Sequence, residues 1–124
     1  MAYGTINADI LQSSTAGTPP QFNDGNGTQT GTLCRAWVNY KGTATRGINA
    51  SFNISSVTVN GTGDFTYNFT NAMPDANYAY SSGSVNGFGS MYLSSISTTS
   101  IRLVNTNTVG TSVDGATLCM AVFR

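Results

Sequence analysis

The chain offers few side chains able to do chemistry, and their spacing argues against most reactions. Histidine and glutamate are absent; the carboxylates are Asp9, Asp24, Asp64, Asp75 and Asp114, and the basic groups are Arg35, Lys41, Arg46, Arg102 and Arg124. Without an imidazole there is no Ser–His or Cys–His nucleophile pair and no ordinary general base. Hydrolysis by paired carboxylates needs two aspartates to converge. Asp64 and Asp75 instead bracket turns, where aspartate commonly caps its own backbone. The loop Asn60-Gly61-Thr62-Gly63 joins two strands and carries no lysine, so it lacks the parts of a phosphate cradle. Cys34 and Cys119, with no histidine, make a poor metal set. The expectation is a non-enzymatic chain with no catalytic, cofactor-binding or metal-ligating residue.

Other candidates have plainer readings. Asn-x-Ser/Thr sequons begin at Asn26, Asn49, Asn53, Asn60 and Asn68. A chain so rich in these residues produces sequons by chance, and its opening lacks the basic start and apolar run of a secretory signal. A chain folding in a reducing cytoplasm keeps its cysteines as two buried free thiols, with a Cys34–Cys119 bridge as the alternative. Trp37, Tyr40, Tyr78, Tyr80, Phe88 and Tyr92 have the shape to stack on sugars, but aromatics of this kind are more often core or interface.

Composition bounds the rest. Zero net charge and 8% charged residues leave no electrostatic footprint for nucleic acid. No apolar run is long enough to span a membrane. Thr, Ser and Asn together make 45 of the 124 residues, so solubility rests on uncharged hydrogen-bonding groups. Thr suits strands, while Asn, Ser and Gly suit turns. The length points to one domain with a modest core.

The elements that must position these residues are strands. In Ser51–Tyr78, Val57 and Val59 alternate with Ser56, Thr58 and Asn60. Beyond the glycine turn, Phe65, Tyr67 and Phe69 alternate with Thr66, Asn68 and Thr70, which makes a half-buried antiparallel hairpin. Leu33–Tyr40 places Ala36, Val38 and Tyr40 on one face and Arg35, Trp37 and Asn39 on the other. Gly47–Ile54 follows, with a bulge or bend expected at Ser55-Ser56 where the inward parity flips. Further strands are expected at Asn77–Val85, Met91–Ile96, Ser100–Asn105 and Ala116–Arg124. The last is apolar on both faces, so it is either central in a sandwich or buried between subunits. The pattern predicts an all-β fold, a single antiparallel β-sandwich or jelly-roll-like domain over 33–124. Residues 1–32 read as an extended arm, with a disordered tail as the alternative. Tyr3, Ile6, Ile10, Leu11 and Phe22 are the side chains that would dock it, and Thr18-Pro19-Pro20-Gln21-Phe22 must be extended.

The run Gly31-Thr32-Leu33-Cys34-Arg35-Ala36-Trp37-Val38-Asn39-Tyr40, with Ser51–Asn60, Gly61–Phe69 and Ala72-Met73-Pro74-Asp75-Ala76-Asn77-Tyr78, resembles a recurrent module of tailed bacteriophages, marine and cyanobacterial ones especially. In those phages it occurs on tail fibres and small virion proteins. The opening Met1–Asp9, with Ser13-Ser14-Thr15-Ala16-Gly17, is similar to an N-terminus shared by their structural proteins. The resemblance implies a non-enzymatic virion protein assembled in the host cytoplasm. Two placements follow. One is a head decoration or cement protein, a homotrimer, whose arm grips the major capsid protein or another virion protein. The other is a short tail-fibre or knob protein that binds a host surface glycan through residues 80–117, with Tyr80, Phe88 and Tyr92 as outward contacts. Leu118, Met120, Val122 and Phe123 are the expected oligomer interface.

Overall fold

Alternation of apolar and polar residues decides which side of each strand is buried, and the computed structural model shows where those sides meet. It describes residues 14–15, 21–23, 28–30, 34–85 and 90–124. The chain divides into two compact units, Met1–Thr32 and Leu33–Arg124. In the first, strands β1 (Gln21–Asn23) and β2 (Thr28–Thr30) pair antiparallel, with Phe22 opposite Gln29. The prolines just before Gln21 favour extended backbone at this point. The side chains of Tyr3, Ile6, Ile10, Leu11 and Phe22 lie outside the described residues.

The second unit is built from β3 (Cys34–Lys41), β4 (Gly47–Phe52), β5 (Ile54–Gly61), β6 (Asp64–Phe69), β7 (Ala79–Val85), β8 (Met91–Ile96), β9 (Ser100–Asn105) and β10 (Thr117–Phe123). Two four-stranded antiparallel sheets result, in the orders β4-β3-β10-β7 and β5-β6-β9-β8. The expected β-sandwich is what forms, with no helix among the described residues. Strands β3 and β4 pair in the first sheet, and the chain then crosses to the second, where β5 and β6 pair. Strands β7, β8 and β9 follow one another around the sandwich, and β10 returns to lie beside β7, a Greek key.

The core comes from the inward positions of both sheets. Ala36, Val38, Tyr40, Leu118, Met120 and Val122 face Ile54, Phe65, Tyr67, Phe69, Ile101 and Leu103, all buried. Each contributes about 1.5–3 kcal/mol relative to exposure, less for Ala36. Tyr40 meets Phe65 and Tyr67 edge-on, with ring centroids 5.4 and 6.3 Å apart, so the sheets interlock through rings of alternating orientation. The segment from β6 to β7 closes one end. Met73 is buried there, and the Tyr78 hydroxyl donates to the carbonyls of Ser97 and Ser100 at 3.0 and 3.1 Å.

Two expectations require correction. Leu118, Met120 and Val122 are not an interface between copies: they fill the core of their own chain, at 3% exposure or less. Of the expected set, Phe123 alone points outward, because odd and even positions of β10 face opposite ways. By the same alternation Cys119 is exposed, not buried, while Cys34 is half-buried; both are free thiols. The expected irregularity near Ser55 is present as a register shift between Ile54 and Ser56. The sharper break falls one residue earlier, where Asn53 adopts φ 56° and turns the chain from one sheet to the other.

Candidate functional site

The two outer faces of the sandwich are chemically unlike. On the β4-β3-β10-β7 sheet, directly paired residues share a face, so Phe52, Trp37, Ala121 and Ser81 form one row across all four strands. Ala50, Asn39, Cys119 and Gly83 form the next. Phe52 is 54% exposed, Trp37 39% and Phe123 37%. The middle of this face, bounded by Trp37, Asn39, Ser81, Gly83, Cys119 and Ala121, sinks into an open, mainly apolar depression of about 510 Å³. Arg35 and Lys41, the charged residues of β3, stand on the same outward parity at its margins.

The opposite outer face, on the β5-β6-β9-β8 sheet, is tied up in polar contacts. Asn60 Nδ2 donates to Thr66 Oγ1 and Asp64 Oδ1, and Asn68 Nδ2 donates to Ser56 Oγ and Thr58 Oγ1. Arg102 grips Asp64 with two parallel bonds, Nε to Oδ1 at 2.8 Å and Nη2 to Oδ2 at 2.5 Å. That guanidinium holds the Asp64 carboxyl below the usual carboxylate range, assisted by Asn60 and opposed by partial burial. Here the sequence expectation fails in detail: Asp64 pairs with an arginine across the sheet and does not cap its own turn. Asp75 does cap, its Oδ1 accepting from the Asn77 N–H at 2.7 Å. Arg124 also binds Asp75 and, with the Asn77 N–H, lowers its pKa.

At one end of the sandwich a third pair acts as a tie. Asp114 Oδ2 accepts from Arg46 at 2.6 Å while its Oδ1 accepts from the Gly63 N–H at 2.8 Å. Asn105, fully buried, donates to the Val113 carbonyl at 2.7 Å and accepts the Val113 N–H at its own backbone oxygen. All three described aspartates are therefore engaged by arginines. Among the described residues, no group of three His, Cys, Asp or Glu side chains could hold a metal ion. The geometry offers surfaces that can bind, and the three Asp–Arg pairs serve as cross-links.

Of the residues singled out as outward contacts, Tyr92 is 49% exposed. Tyr80 turns inward and packs, partly buried, against the core. Phe88 lies outside the described residues. The segment 80–117 is less a projecting tip than a share of the framework, since it supplies the buried Ile101 and Leu103. Sequence reasoning passed over Phe52, Cys119, Ala121, Ser81 and Gly83 as a surface. The signal was the two-faced apolar pattern of β10 combined with outward Trp37. It became readable only when β10 was placed beside β3.

The fold defines the class, an antiparallel β-sandwich with one apolar and one polar outer face. No protein-family model, no curated protein and no solved structure matches the chain.

Proposed function

We propose that the chain is a non-enzymatic structural protein of a tailed-phage virion, a head decoration protein that lies against the shell and stiffens it. The observation that carries this reading is the contrast between the two outer faces. Trp37, Phe52 and Phe123 are exposed on one side, while the other, apart from the exposed Tyr92 at its edge, is mainly a lattice of Asn, Ser, Thr and an Asp–Arg pair. A protein resting on a surface needs one side for its neighbour and one for water. The resemblance of the 31–78 region to a module of phage virion proteins supplies the setting. Residues 1–32, a unit separate from the sandwich, serve as the anchoring arm. Burying each of Tyr3, Ile6, Ile10, Leu11 and Phe22 in a groove of the shell protein would contribute about 1.5–3 kcal/mol before ordering costs.

Two measurements test this. Quantitative mass spectrometry of purified virions should give a copy number that scales with the shell lattice. A number matching the tail instead would overturn the head placement and favour the fibre or knob. Deleting residues 2–22 should leave a folded sandwich that no longer joins particles; unchanged incorporation would remove the anchoring role.

A further inference from the structure

We propose that β7 is a pairing edge between copies of this chain: two molecules join by antiparallel β7–β7 pairing about a two-fold axis, fusing their β4-β3-β10-β7 sheets into one. The inference does not depend on where the protein is carried.

A sheet edge presents unpaired N–H and C=O groups, and proteins guard such edges with charges, prolines or bulges. The lateral strands here are β4 and β7 in one sheet and β5 and β8 in the other. Their sequences, GINASF, AYSSGSV, ISSVTVNG and MYLSSI, contain no charged residue and no proline. The strand charges Arg35, Lys41, Asp64 and Arg102 all lie on interior strands. Bulges are therefore the remaining guard, and they are unevenly placed. Strand β4 carries an extra residue at Asn49, β5 at Ser55 and Asn60, and β8 at Ser94. Strand β7 has none: Ala79 to Val85 runs in unbroken register against β10, from Phe123 to Thr117. Among the described residues it pairs on one side only. It is, among the described residues, the uncharged edge of unbroken register, with no bulge to guard it.

The occupant follows from the composition of that strand. Centred on Ser82, a two-fold would set Ala79 opposite Val85 and Ser81 opposite Gly83 on the outer face, apolar against apolar and small against small. No like charges meet, and no bulky side chain holds the backbones apart. Inward, Tyr80 would meet Ser84. The apolar depression that ends on Ser81 and Gly83 would continue without interruption into the second copy. The two-fold departs from the trimer that the phage resemblance implies.

The test uses the full chain. Ser81→Lys/Gly83→Lys puts two positive charges on exposed outer-face positions, and a Cβ at Gly83 meets nothing within 4 Å, so the monomer tolerates it. Sedimentation of the wild type should give a two-chain mass. The lysine variant should give a one-chain mass with an unchanged melting curve. Mixing it with Ser81→Asp/Gly83→Asp should restore the two-chain mass by charge pairing. A one-chain or three-chain mass for the wild type overturns the proposal, as does a lysine variant that stays two-chain. Hydrogen exchange on the wild type is a second readout. Amides of β7 should be protected at both alternating sets and lose one set on dilution; fast exchange of one set at every concentration also overturns it.

Discussion

Tyr67 shows how a single residue can be right for the fold and still costly. Its ring is fully buried and packs against Tyr40, but its hydroxyl has no hydrogen-bond partner. A buried unpaired hydroxyl costs about 1–3 kcal/mol. Tyr67→Phe keeps the ring and removes that cost, so urea denaturation should show a gain of roughly 1 kcal/mol. A comparable loss would mean that the hydroxyl is satisfied and that this account of the core is wrong. The sequence made Tyr67 an inward residue by alternation alone. It could not reveal the orphaned hydroxyl, because that depends on what faces Tyr67 from the other sheet. Gly63 is a parallel case. Its place in a glycine-rich turn is plain from its neighbours, yet what fixes it is distant: φ is +69°, and an added Cβ would stand 2.6 Å from the Asn105 carbonyl oxygen.

At the scale of elements, β8 and β9 lie where turn chemistry and alternation put them, and the faces of β3 were legible residue by residue. Alternation is a local property, so it survives without knowledge of partners. Strand order is not local. Nothing in Ala116–Arg124 says that it inserts between β3 and β7, and that insertion decides which of its apolar sides is core. The sequence places a bulge or bend at Ser55-Ser56, whereas the crossing from β4 to β5 turns on one side chain just before it. Asn53 Nδ2 donates to the carbonyls of Arg35 and Asn71 at 3.0 and 3.1 Å, and its Oδ1 accepts the Asn71 N–H at 2.7 Å. It also tolerates φ 56°, which costs most L-residues about 1–2 kcal/mol. Asn53→Ala loses the bonds and keeps the strain, for an expected destabilisation of about 2–3 kcal/mol. Asn53→Gly relieves the backbone but not the bonds and should recover about 1 kcal/mol of that. Equal melting of the two variants would show that the backbone conformation contributes nothing.

For the molecule as a whole, few charges and no histidine make stability a matter of the two extremes of pH. Burial pushes the phenols of Tyr40, Tyr67 and Tyr78 up, Tyr78 to about 12. The neutral phenol is the form the fold prefers, and the unfolded chain ionises near 10.0. Their contribution is therefore complete below that pH and is lost as pH rises through the folded values. Asp64 and Asp75 run the other way. Arg102 and Arg124 hold them below 3.8, so their contribution is complete above that value and is lost as pH falls through the folded values. With no histidine in the chain, no imidazole titrates between these limits. The urea midpoint should accordingly be flat across neutrality, declining in acid below the carboxylate range and in alkali above the tyrosine range. Added salt should move the acid limb and leave the alkaline limb nearly unchanged. The ion pairs behind the first are partly exposed and screened, whereas burial behind the second is not. A midpoint that steps near pH ~6.5, or an alkaline limb that shifts with salt as far as the acid one, would contradict this account.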